Sequence, residues 1–205
     1  MKQLRLALIA VCALVIPISH AEIFVAPFGG YSFGSNGLEV SVNDAQTNLP
    51  ELNITESGNI GIMLGVTTND PGNMYLLYSR QETDLRQGSL SSDKLTELEV
   101  NYFHLGGTLY FPNGNLKPYV TASAGLTQLR PSKEYSSETH FSMGIGGGVA
   151  YEVTQNVSLF ADVRGYATFL NSDGGLFCNQ TRCVWQITGD LMWQSQVNLG
   201  LEIAF

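Results

Sequence analysis

Gln196-Val197-Asn198-Leu199-Gly200-Leu201-Glu202-Ile203-Ala204-Phe205 closes the chain with a strict two-residue alternation. Val197, Leu199, Leu201, Ile203 and Phe205 are apolar, while the residues between them are polar or small. Successive side chains of a strand point to opposite faces, so this segment is a strand with one greasy face. A half-buried strand of a soluble sandwich gives the same alternation. A soluble sandwich, however, rarely ends on its most hydrophobic strand with an aromatic last residue.

The pattern recurs upstream. Phe141, Met143, Ile145, Val149 and Tyr151 alternate with Ser142, Gly144, Gly146, Gly148, Ala150 and Glu152, and Gly147 falls within the apolar phase. Val157, Leu159, Ala161 and Val163 oppose Ser158, Phe160, Asp162 and Arg164. Val120, Ala122, Ala124 and Leu126 oppose Tyr119, Thr121, Ser123 and Gly125, and Ile60, Ile62, Leu64 and Val66 oppose Gly61, Met63, Gly65 and Thr67. A soluble sheet turns its polar face to water, where Lys and Glu are usual. These second faces are mostly Gly, Ala, Ser and Thr, which suit the crowded inside of a narrow barrel.

Connection lengths give an independent sign. Short turn signals stand at Asn69-Asp70-Pro71-Gly72-Asn73, Pro112-Asn113-Gly114-Asn115 and Thr154-Gln155-Asn156. Longer polar stretches lie between them, at Ser35–Ser57, Thr83–Asp93, Arg130–Thr139 and Asn171–Val184. Short turns on one rim and long loops on the other describe an all-β, eight-stranded antiparallel up-and-down transmembrane β-barrel. The expected strands are 23–33, 58–68, 74–82, 95–111, 117–129, 139–153, 157–170 and 185–205. Alternation falters around Phe103–Leu105, where a bulge would restore it. Tyr75, Tyr110, Phe111, Tyr119, Tyr151 and Phe205 lie near the short turns and are expected to form an interfacial girdle at the periplasmic rim.

The start of the chain fits the same destination. Lys2 and Arg5 precede an apolar run from Leu6 to Ile18, followed by Ser19-His20-Ala21 with small residues at a cleavage position. This reads as a secretory signal peptide over residues 1–21, leaving one barrel domain at 22–205. Cys12 sits inside the run after Val11, which does not fit a lipoprotein site. The formal net charge is −8, and loss of Lys2 and Arg5 makes the exported chain more acidic still. Such a balance excludes nucleic acid as a partner, because phosphate needs cations. No later stretch approaches the apolar length of a membrane helix.

Four groups bear on chemistry. In Cys178-Asn179-Gln180-Thr181-Arg182-Cys183, an oxidising compartment favours a disulfide that stiffens the last external loop. Metal binding would want further ligands, and none is near. Glu152, Asp162, Arg164 and Glu202 fall on inward faces in the periplasmic half and are expected to form an interior charge network, with Glu97 and Glu99 as possible members. Such a network either plugs the lumen or lines a proton or cation path. His140-Phe141-Ser142 has the spacing of a His–Ser pair like that of outer-membrane lipid A deacylases. Glu152, ten residues beyond Ser142 on the same strand, lies on the order of 33 Å away, too far to orient the imidazole. Gly144–Gly148 lies mid-strand with no following helix, so it is no nucleotide loop. No catalytic residue, cofactor or metal is expected.

Pro27-Phe28-Gly29-Gly30-Tyr31-Ser32-Phe33-Gly34, Leu77-Tyr78-Ser79-Arg80-Gln81 and Tyr102-Phe103-His104-Leu105-Gly106-Gly107 resemble segments of a known family. So do Arg164-Gly165-Tyr166, Gly175-Leu176-Phe177-Cys178 with Cys183, and Gly189-Asp190 with Trp193-Gln194. In this order and spacing they resemble the small outer-membrane β-barrel proteins of Gram-negative bacteria, OmpA-like or opacity-type. The resemblance implies the barrel, the outer-membrane location, the loop disulfide and a terminal strand read by the barrel-assembly machinery. It carries no activity. The expected role is a non-enzymatic surface barrel, embedded in outer-membrane lipid, whose loops serve envelope integrity, adhesion or recognition through a partner not legible here. A narrow pore or carrier for small solutes is the alternative, and a lipid-modifying enzyme is less supported.

Overall fold

The computed structural model describes residues 22–34, 36–38, 52–68, 71–87, 93–132, 137–170, 175–178, 183–186 and 191–205. The signal-peptide reading at 1–21 lies outside them. Twelve strands follow in chain order: β1 Ile23–Phe33, β2 Asn36–Leu38, β3 Leu52–Ile54, β4 Ser57–Thr67, β5 Gly72–Gln87, β6 Asp93–Tyr110, β7 Leu116–Pro131, β8 Glu138–Thr154, β9 Val157–Phe169, β10 Gly175–Cys178, β11 Cys183–Gln186 and β12 Leu191–Ala204. Eight of them, β1, β4, β5, β6, β7, β8, β9 and β12, pair antiparallel with their chain neighbours, and β12 returns to β1. The ring has no edge, so backbone groups are paired all the way round.

The register fixes the barrel's geometry. Stepping from Ser32 through the partners Gln196, Arg164, Gly146, Thr121, Thr108, Asn73 and Thr67 returns to β1 at Glu22, where the Thr67 amide donates to the Glu22 carbonyl at 2.9 Å. The circuit closes ten residues lower, 32 to 22. At that stagger eight strands tilt about 40° from the axis, leaving a lumen that side chains can fill.

Exposure is inverted relative to a soluble protein. Ile145 (69%), Ile60 (68%) and Leu199 (67%) are exposed, whereas Gln196 (0%), Asn198 (1%) and Asn59 (3%) are buried. A sandwich would bury the first set and wet the second. Inward glycines make room for rings: a Cβ at Gly200 would sit 2.3 Å from Cζ of Phe160, and one at Gly106 would sit 2.6 Å from Cζ of Tyr75. Between β6 and β7, Gly114 takes φ 63°, the left-handed conformation that the tight turn needs.

Several expectations are corrected in detail. The β5–β6 register runs unbroken from Tyr78↔Phe103 through Leu77↔His104 to Leu76↔Leu105, so the expected bulge is absent there, and the register shifts instead between Leu85 and Arg86. His104 simply takes the inward place between outward Phe103 and Leu105. β5 and β6 also continue beyond their expected ends and still pair at Gln87↔Asp93, because a ladder above the membrane needs no apolar alternation. β3 extends this upper sheet along β5, and β10 and β11 form a separate hairpin. The final strand starts at Leu191 rather than 185.

The girdle is also revised. Phe111, Tyr151 and Phe205 are exposed at the short-turn end, but Tyr75 (2%) and Tyr119 (6%) point inward, and Tyr110 packs against the core. Their phase along the strand, rather than closeness to a turn, sets the face. At the opposite end Phe33, Phe141, Phe169 and Trp193 are exposed, and the rings of Phe141 and Phe169 lie 5.8 Å apart.

Candidate functional site

The lumen is the place where polar chemistry is buried, and it is layered. Nearest the loops, Leu98, Val100, Leu129, Leu170 and Met192 are all buried, beside Thr83, the register partner of Leu98. Below them the rings of Tyr102 and Tyr166 stack at 4.2 Å. The Tyr102 hydroxyl donates to Gln194, whose amide donates to Gln81, and Gln81 Nε2 donates to Ser57 Oγ at 2.9 Å. One hydrogen-bonded chain thus ties β6, β12, β5 and β4 together across the lumen.

On the other side His104 lies between two hydroxyls, with Nδ1 2.9 Å from Ser123 Oγ and Nε2 2.8 Å from Ser142 Oγ. Thr127 donates to Ser142 at 2.7 Å and lies 3.0 Å from Thr168. A Ser–His contact therefore exists, but it joins Ser142 to His104 rather than to His140, which pairs with Glu138 at 3.2 Å. A hydroxyl instead of a carboxylate holds the far nitrogen of His104, and Ser142 is fully buried. The arrangement orders the wall and leaves no opening for a substrate at Ser142.

The charged layer comes next. Arg164 donates to Asp162 Oδ2 through Nε at 2.9 Å and Nη2 at 2.7 Å, with the two side chains 5% and 0% exposed. Asp162 also accepts from Tyr119 Oη and Asn198 Nδ2, each at 3.0 Å, and Asn59 donates to Asn198 at 2.8 Å. The guanidinium lies over the rings of Phe28 and Tyr75, 6.0 and 5.6 Å from their centres. Two hydrogen bonds within the pair and two further donors to Asp162 make this buried ion pair tolerable.

Of the four residues expected to form one network, only Asp162 and Arg164 meet. Glu202 accepts from Tyr110 Oη at 3.4 Å, and Glu152 pairs with Lys117 at 2.5 Å, partly exposed at the periplasmic rim. Glu97 and Glu99 lie at the other end on the outer face, since the inward residues there are Leu98, Val100 and Tyr102. β6 starts at the loop rim, so its first residues cannot reach a periplasmic cluster. Glu99 instead pairs with Arg80 at 2.8 Å and Arg130 at 3.7 Å.

The terminal residues Val197, Leu199 and Phe205 are exposed, Leu201 and Ile203 partly so, and their strand closes the ring between β1 and β9. Cys178 and Cys183 are register partners across β10 and β11, while their side chains lie outside the described residues. His104, Tyr102, Gln194 and Gln81 stand in the segments that carry the family resemblance, but no local motif marks them as a lumen network. The available signal was their inward phase, shared with neighbours already placed inside. Among the described residues no three His, Cys, Asp or Glu side chains converge as metal ligands.

A closed ring, an apolar exterior and a polar filled interior are now joined by a sequence match. Residues 8–205 match the family described as the outer membrane protein beta-barrel domain. The chain belongs to that family. As an outer membrane protein beta-barrel domain, it resides in the bacterial outer membrane. Neisserial surface protein A shares 17% identity and a TM-score of 0.64, covering 90% of this chain and 99% of its own. The outer membrane protein OprG of Pseudomonas aeruginosa shares 12% identity and a TM-score of 0.61, covering 90% and 96%. AlkL in lipid bilayers shares 11% identity and a TM-score of 0.53, covering 90% of each chain. At these identities the likeness is one of fold. No curated protein matches the barrel's sequence.

Proposed function

We propose that this outer-membrane barrel is a non-conducting, non-enzymatic surface protein whose extracellular loops act in envelope integrity, adhesion or recognition. The observation supporting it is the filled lumen. The Tyr102–Gln194–Gln81–Ser57 chain and the Arg164–Asp162 pair cross it, and the apolar layer at Leu98, Val100, Leu129, Leu170 and Met192 lies above them. The rival is a narrow pore. It draws on Ser32, Ser79 and Gln196, whose buried side-chain atoms have no protein partner and would be satisfied by water. Planar-bilayer recording separates the two: the purified barrel should give no stable single-channel steps, and reproducible steps would favour the pore.

The Cys178–Cys183 disulfide belongs to the same reading. Directly opposed residues of an antiparallel pair have Cα atoms about 4.5–5.5 Å apart, inside the span of about 4.4–6.8 Å that a disulfide bridges. Peptide mass spectrometry of the exported protein, with and without reductant, should find these cysteines linked. Free thiols in the oxidised sample would remove the loop staple. Export itself should end with cleavage after Ala21, so N-terminal sequencing of the membrane form should begin at Glu22.

A further inference from the structure

The outer face of β5 and β6 carries an apolar groove beneath a charged recess. The groove, about 410 Å³, is lined by Ile62, Leu64, Leu76, Tyr78, Phe103 and Leu105 among others. The recess, about 470 Å³, takes in Arg80, Glu56, Glu82 and Glu99. β5 climbs away from the periplasmic turn, so Leu76, Tyr78, Arg80 and Glu82 rise along one face in that order. β6 descends beside it as Glu99, Asn101, Phe103 and Leu105, with Arg80 opposite Asn101 and Tyr78 opposite Phe103. From Leu76 to Glu82 the climb is on the order of 20 Å along the strand. Going upward, a ligand on this face meets aliphatic side chains, then an aromatic pair, then a guanidinium, then carboxylates.

That sequence of environments is the order of parts in one kind of amphiphile. Acyl carbons suit the groove, which continues the lipid-facing surface of the barrel. A phosphate suits Arg80, whose described ion pairs with Glu82 and Glu99 are both made through Nη2, and whose side chain is 41% exposed. An ammonium suits Glu56 and Glu82 above, both of which line the recess. Glu82 is the most open of the paired acids, at 75%. A purely anionic head would meet those acids unfavourably, and a head without phosphate would leave Arg80 to the glutamates alone. We infer that the outer face of β5 and β6 holds a lipid whose headgroup carries both a phosphate and a primary amine.

The test is native mass spectrometry of the full barrel released from detergent with equal amounts of phosphatidylethanolamine, phosphatidylglycerol and phosphatidylcholine. Phosphatidylethanolamine should be retained about fivefold over each of the others, and Arg80→Gln should lower its retention about tenfold. Glu56→Gln with Glu82→Gln should erase the preference over phosphatidylcholine, whose methylated amine cannot donate a hydrogen bond. Ala124→Trp, which fills the groove, should reduce retention of all three lipids. Heat-modifiable migration on gels identifies folded variants, and the paired glutamate variant carries the test if Arg80→Gln does not fold. Equal or greater retention of phosphatidylglycerol, or unchanged selectivity in the folded variants, overturns the inference.

Discussion

Asp162→Ala should destabilise the barrel by about 3–5 kcal/mol, the largest single-residue effect expected here. The variant leaves Arg164, 5% exposed, without its carboxylate and strips Tyr119 and Asn198 of their acceptor. Because the pair sits in the lumen with rings above the guanidinium, water has poor access to rehydrate it. The same physics predicts that removing both charges costs less. Asp162→Leu with Arg164→Met should recover most of the loss, since apolar side chains of similar volume often replace a buried pair without penalty. Denaturant unfolding in lipid vesicles measures both. A loss below about 1 kcal/mol for Asp162→Ala would mean that Arg164 is solvated, as an open water path would allow.

Ile145→Arg should cost about 2–4 kcal/mol by the same assay. Ile145 is 69% exposed, midway along the outward run from Phe141 to Tyr151 on β8. In water an exposed Ile→Arg change is nearly neutral. In a barrel it places a guanidinium near the bilayer midplane. The penalty should shrink when the same change is made near the girdle, at Phe141 or Tyr151, because the charge can then reach the interface. A depth-independent, negligible effect would argue that this face meets water.

The fold was legible because one physical rule governs the whole wall. Lipid outside and a crowded lumen inside force a two-residue period, and Val197 to Phe205 or Phe141 to Tyr151 display it without help from distant residues. The site was less legible. Phase placed Glu152, Asp162, Arg164 and Glu202 inside, but the partner of each depends on stagger between strands, which the sequence does not display. Arg164 thus meets Asp162, whereas Glu152 meets Lys117 and Glu202 meets Tyr110. Glu97 and Glu99 were misplaced because strand direction sends the start of β6 to the loop rim. His104 is buried between exposed Phe103 and Leu105, so alternation holds where a bulge was expected. The lumen's apolar layer escaped notice because Leu98, Leu129, Leu170 and Met192 come from four strands, and only closure of the ring brings them to one level.

Single spin labels walked along residues 196–205 of the reconstituted protein give the most direct test of which way the strands face. Collision with oxygen, which dissolves in lipid, should be high at positions 197, 199 and 201, with little access to a water-soluble nickel complex. Labels at 196, 198 and 200 should be shielded from both. If a label replacing Leu199 instead met nickel freely, or were immobilised and closed to oxygen, the apolar stripe would face water or a second sheet, and the barrel in lipid would be the wrong description.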